Sequence, residues 1–100
     1  MMNNILNNIL LKLKEELPLL TAQYYVSTLE VFGSYVRNEQ TPKSDLDILV
    51  TFSQAPSLFK FIELEDSLSE LLGVKVDLVM RSSLKTNIGR RILAEAQLVA

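Results

Sequence analysis

A chain of 100 residues, 48% of them hydrophobic, carries enough apolar material to cover a sheet with helices, which argues for order and for one domain spanning residues 1–100. The formal net charge of -2 argues against nonspecific binding along a nucleic-acid backbone, which needs a basic face, so no direct nucleic-acid contact is expected. With no cysteine and no histidine, disulfides, thiolate metal sites, zinc enzymes and Ser-His-Asp hydrolases fall away; chemistry is left to carboxylates, hydroxyls, lysine, arginine and a hard cation such as magnesium.

Taken in chain order, Ile5, Leu6, Ile9, Leu10, Leu13, Leu17 and Leu20 recur at helical spacing. Asn3 or Asn4 is placed to cap this helix, and Pro18 is expected to end or kink it. Lys12, Lys14, Glu15 and Glu16 interrupt the apolar run, so it is not a signal peptide. No stretch approaches the ~20 apolar residues that a bilayer span requires. A cytoplasmic protein with no membrane partner is the expectation.

Val26 to Phe32, β-branched and aromatic, reads as a strand that stops at Gly33-Ser34, with a short helical turn through Arg37. Asn38, Thr41, Pro42 and Ser44 are loop chemistry. Leu46 to Phe52 reads as a central strand, and Leu58 to Leu72 as a helix capped by Gly73. Lys75 to Val79 is a third strand; helical structure from Ser82 or Ser83 ends in an amphipathic stretch from Ile88 to about Ala96. The predicted class is α/β (α+β), in the order α-β-α-β-α-β-α, with a mixed three-stranded sheet. The helical crossover between the second and third strands makes that pair parallel, whereas the first two strands must run oppositely if Gly33-Ser34 is to face Asp45.

The chemistry concentrates between Gly33 and Asp77. Asp45 and Asp47 are two residues apart, a spacing that points both carboxylates to one face of a strand, where their repulsion makes sense beside a divalent cation. The plainer alternative is a turn residue after Pro42 and a solvated aspartate. Gly33-Ser34 offers close backbone approach, free N–H groups and a hydroxyl to an anion, or else only a turn and a cap. Asp77, between Val76 and Leu78, is costly in a strand without partners; a parallel neighbour would bring it beside Asp45 and Asp47 as a metal ligand and proton acceptor. Facing solvent from an edge strand is the other possibility. Arg37 can reach a phosphate or tie down its loop, and Arg81, Lys85, Arg90 and Arg91 form a basic C-terminal region or a wet helix face.

Gly33-Ser34, ten intervening residues, Asp45-Leu46-Asp47 and a later Asp77 resemble the signature of the DNA polymerase beta-like nucleotidyltransferases. Phe32-Gly33-Ser34-Tyr35-Val36-Arg37 and Ser44-Asp45-Leu46-Asp47-Ile48-Leu49-Val50, with the tail from Ile88 to Val99, are most similar to the MNT-type minimal members. One departure is Asn38, where a glycine commonly follows the arginine. The resemblance implies two magnesium ions on Asp45 and Asp47, with Asp77 as third acidic residue. It places Gly33 and Ser34 on the triphosphate oxygens of ATP; Arg37 and Ser44 are further candidate nucleotide-binding residues. It further implies transfer of AMP to a tyrosine of a HEPN-type toxin, which makes the protein an antitoxin. The competing expectations are neutralisation by contact alone and transfer to a small molecule.

Overall fold

The computed structural model describes residues 4–99. Helix α1 (Asn4–Tyr24) leads into β1 (Val26–Phe32), then β2 (Leu46–Phe52), α2 (Leu58–Leu72), β3 (Val76–Met80), a 3-10 turn (Arg81–Ser83), α3 (Thr86–Glu95) and β4 (Gln97–Leu98). Asn3 as a cap lies outside the described residues.

α1 forms because Leu6, Ile9, Leu13, Leu20 and Tyr24 share one buried stripe. It does not end at Pro18. The proline ring removes one hydrogen bond, but it is exposed, and buried Leu13, Leu20 and Tyr24 anchor the helix on both sides of it. The chain then reverses at Tyr25 (φ 59), whose N–H bonds to the Thr21 carbonyl. Ser57 caps α2 by accepting from the Lys60 N–H, and Gly73 closes it in left-handed geometry (φ 69).

The sheet runs β3-β2-β1-β4, with β1–β2 antiparallel and β2–β3 parallel, as the crossover argument requires. It has four strands where the sequence reading has three. Gln97–Leu98 pairs antiparallel with β1 at Val31 and Glu30, and the Val99 N–H bonds to the Leu29 carbonyl. Two residues leave no periodicity to read; the open edge of β1 makes them a strand. The segment after Ser34 is also a run of turns rather than a helix, closed by the Val36 and Arg37 N–H groups on the Gly33 carbonyl.

Alternation assigns the two faces of the sheet. Leu29, Val31, Ile48, Val50, Val76 and Leu78 join α1 and α2 in one apolar cluster, with Leu13, Leu64 and Leu68 fully buried in it. Glu30, Phe32, Asp47, Leu49 and Asp77 therefore occupy the opposite face, towards which α3 folds back. At the outer edge, the Val76 N–H bonds to Ser69 Oγ at 3.0 Å and the Leu78 N–H to Glu65 Oε2 at 2.8 Å.

Candidate active site

Strand register lines up the carboxylates. Phe32 pairs with Asp47 across β1–β2, and Asp47 pairs with Asp77 across β2–β3, so the two aspartates are neighbours in one row. Asp45 stands one residue before β2 begins and is exposed. Asp77 is on an edge strand and exposed as well, so it is both beside Asp47 and open to solvent. Asp47 is half-buried, and its carboxyl is pushed up to about 6, first by burial and then by the negative charges of Asp77 and Asp45.

Gly33 ends β1 directly beside Asp47. Its φ of 82 is left-handed, and an added Cβ would come within 2.2 Å of Asp47 Oδ2. Glycine is needed here for space at the carboxylate as well as for the turn. Asn38 takes a left-handed φ of 57, a conformation that asparagine tolerates well.

The remaining loop residues are engaged as follows. Arg37 Nε donates to Glu39 Oε1 at 2.7 Å, and Arg37 Nη1 donates to both oxygens of Glu95 at 2.9 Å. These bonds, to Glu39 and then to Glu95, raise the guanidinium's pKa. The Gly33 N–H donates to Glu95 Oε2 at 2.6 Å. Ser44 Oγ accepts from the Thr41 N–H at 2.9 Å, which ties Ser44 into its own loop. No partner is seen for the Ser34 N–H or hydroxyl among the described residues.

Glu95 is the residue that sequence reasoning missed. It lies in the last turn of α3, far along the chain from Gly33, and nothing in the local pattern distinguishes it from any wet-face glutamate. In the basic region, Arg81 faces Glu30 at 3.8 Å, while Arg90 and Arg91 are exposed. Ile88 is exposed and Ile92 partly covered; both line a shallow cleft of about 170 Å³ with Arg37, Arg91 and Glu95. A larger hollow, about 450 Å³, lies elsewhere among the described residues, between α1 and the loop at Gln40–Pro42, and no carboxylate lines it. The paired carboxylates lie in the row of aspartates and not in that hollow.

Among the described residues, no three carboxylates converge into a ready-made metal cage. The donor chemistry nevertheless suits a hard cation: oxygen ligands only, with the charge of Asp47 disfavoured by burial and then by its acidic neighbours. Asp45, Asp47 and Asp77 are the residues that could hold it.

Residues 6–99 match the family described as nucleotidyltransferase domain. The chain belongs to the nucleotidyltransferase family. The protein adenylyltransferase MntA of Thermococcus cleftensis is 55% identical over 76 residues, which cover 76% of this chain and 77% of that protein. A solved structure described as a minimal nucleotidyltransferase is similar at 33% identity and a TM-score of 0.74, over 97% of this chain and 95% of that one. A toxin–antitoxin structure with AMP-PNP follows at 26% and 0.72, covering 89% and 72%. The fold also matches a structure of tri-AMPylated Shewanella oneidensis HEPN toxin in complex with MNT antitoxin, at 22% and 0.66, covering 92% and 71%. This nucleotidyltransferase is thus an enzyme of the minimal MNT type, with a mixed sheet of four strands where three were expected. No helix among the described residues is long and apolar enough to cross a membrane.

Proposed function

We propose that this minimal nucleotidyltransferase acts as a single domain in the cytoplasm, where it binds magnesium and ATP on the row of aspartates and transfers AMP to a tyrosine hydroxyl of a HEPN-type toxin. The observation that carries the reading is the register Asp47↔Asp77 beside the Gly33-Ser34 turn. It is supported by the adenylyltransferase relative and by the toxin–antitoxin complexes that share the fold.

Each residue then has a role. Ser34 donates its N–H and hydroxyl to triphosphate oxygens. Gly33 keeps the turn clear of Asp47. Asp45 and Asp47 hold two magnesium ions, with Asp77 completing the set. When bound, the metal neutralises phosphate charge and aligns the attacking and leaving oxygens. The tyrosine oxygen bonds to the α-phosphorus as the bond to the β-bridging oxygen breaks. Pyrophosphate leaves, and the hydroxyl proton passes to Asp77. Ser44 contributes by holding the loop that carries Asp45, through its bond to Thr41.

Neutralising a toxin by contact alone would not need three acidic groups gathered at one end of the sheet at an electrostatic cost, which favours catalysis. The test is intact-mass measurement of a cognate HEPN-type toxin mixed with the protein, ATP and magnesium. The expected result is one adenylyl increment per modified tyrosine, absent with the Asp45→Asn, Asp47→Asn double variant. Full neutralisation by that variant, with no mass change, would establish the contact mechanism instead.

A further inference from the structure

Glu95 joins both ends of the turn on which the nucleotide reading depends. Its carboxylate accepts from the Gly33 N–H at 2.6 Å, and each of its oxygens lies 2.9 Å from Arg37 Nη1. The side chain is only 25% exposed, unlike that of Arg37 at 49%. Inside the turn, the Val36 and Arg37 N–H groups return to the Gly33 carbonyl, and the Glu39 N–H returns to the Ser34 carbonyl. The Gly33 donor is therefore spent on Glu95, whereas Ser34 keeps its N–H and hydroxyl to offer.

We propose that Glu95 is a positioning residue for the nucleotide, fixing the Gly33 backbone and the Arg37 guanidinium so that triphosphate is received by Ser34 and not by Gly33. The proposal rests on the magnesium–ATP reading of the aspartate row. Two physical effects produce it. Charge-assisted bonds to both ends of the turn hold it in its binding shape before nucleotide arrives, which removes an ordering cost from binding. In addition, one N–H cannot serve two anions at full strength, and a second anion on Gly33 would face the Glu95 carboxylate at close range. Phosphate is thereby directed one residue along the chain. The opposite role is that of an internal competitor, in which Glu95 occupies a phosphate position and must be expelled. The two roles differ in sign, because removing a competitor tightens binding and removing a positioning group weakens it.

The experiment is calorimetric titration of the full chain with magnesium and AMP-PNP, with thermal unfolding of each variant as a control on folding. Glu95→Gln retains an acceptor for Gly33 but loses the charge facing Arg37; Glu95→Ala loses both. Affinity should fall in the order Glu, Gln, Ala, with the glutamine variant weaker by about tenfold. Because Glu95 acts partly through Arg37, Arg37→Ala should weaken the wild type yet cost Glu95→Ala little more, a non-additivity that a purely structural role would not give. Unchanged or tighter binding by the glutamine variant overturns the proposal, and so does strict additivity with Arg37→Ala. Failure of the underlying reading looks different. The wild type would then bind no magnesium–nucleotide, or would bind it undiminished in the Asp45→Asn, Asp47→Asn variant, and the positioning role would fall with it.

Discussion

The two faces of this sheet are built from the same strands to opposite ends. On the helix-covered face, Ile48, Val50, Val76 and Leu78 pack with α1 and α2 in one apolar cluster, where an unpaired polar group would cost stability. On the other face, the intervening positions of the same strands place Asp47 beside Asp77, where burial and then its acidic neighbours make the charge of Asp47 less favourable. Strand alternation allows the two to coexist: the pleat sends consecutive side chains to faces that share a backbone but no surroundings. The apolar face supplies the stability that the acidic face gives up.

The sharpest way to break that contrast is at Asp77. Asp77→Asn should leave the sheet intact but lower AMP transfer by ~10²–10⁴-fold, the range typical of a lost general base. The readout is single-turnover transfer at saturating nucleotide, and wild-type rates would show that Asp77 has no part in the chemistry. On the covered face, Leu64→Ala should do the reverse. Leu64 is fully buried, so its truncation should cost about 2–5 kcal/mol in denaturant unfolding while nucleotide affinity of the remaining folded protein is preserved. A loss below 1 kcal/mol, by contrast, would mean that the apolar face is far less tightly packed than described.

The smallest effect concerns Asp47 and pH. Its carboxyl pKa is raised from 3.8 to about 6 in the folded chain, so folding favours the protonated form. The stability contributed by that protonation is fully present below the unfolded value of 3.8 and is lost as pH rises through about 6. Asp47→Asn should thus melt higher than wild type at pH 8 without metal, by roughly 2–5 °C once partial exposure to solvent is allowed for. The advantage should shrink towards pH 4. An equal offset at both pH values would remove the electrostatic account of the acidic face.

Much of this contrast was legible in the sequence because it rests on strong local signals. β1, β2 and α2 fall where apolar alternation and helical spacing place them, and the left-handed cap at Gly73 follows from glycine after a long amphipathic run. The parallel β2–β3 pairing follows from the crossover, and it brings Asp77 level with Asp47. What could not be read depends on partners distant in the chain. Gln97–Leu98 is a strand only because β1 has a free edge. Pro18 stays within α1 because tertiary burial on either side outweighs a local break. Glu95 reaches Gly33 across 62 residues, a contact that no spacing rule reports.

The side chains on the rim of β3 carry a consequence for life in a crowded solution. An outermost strand usually displays a ladder of unpaired amides onto which a stray strand can zip, seeding aggregates. Here Ser69 and Glu65 reach over from α2 to take the outward amides of Val76 and Leu78. The helix thus seals the border beside the row of aspartates, denying docking points to foreign backbone while Asp77, on the same strand, stays exposed.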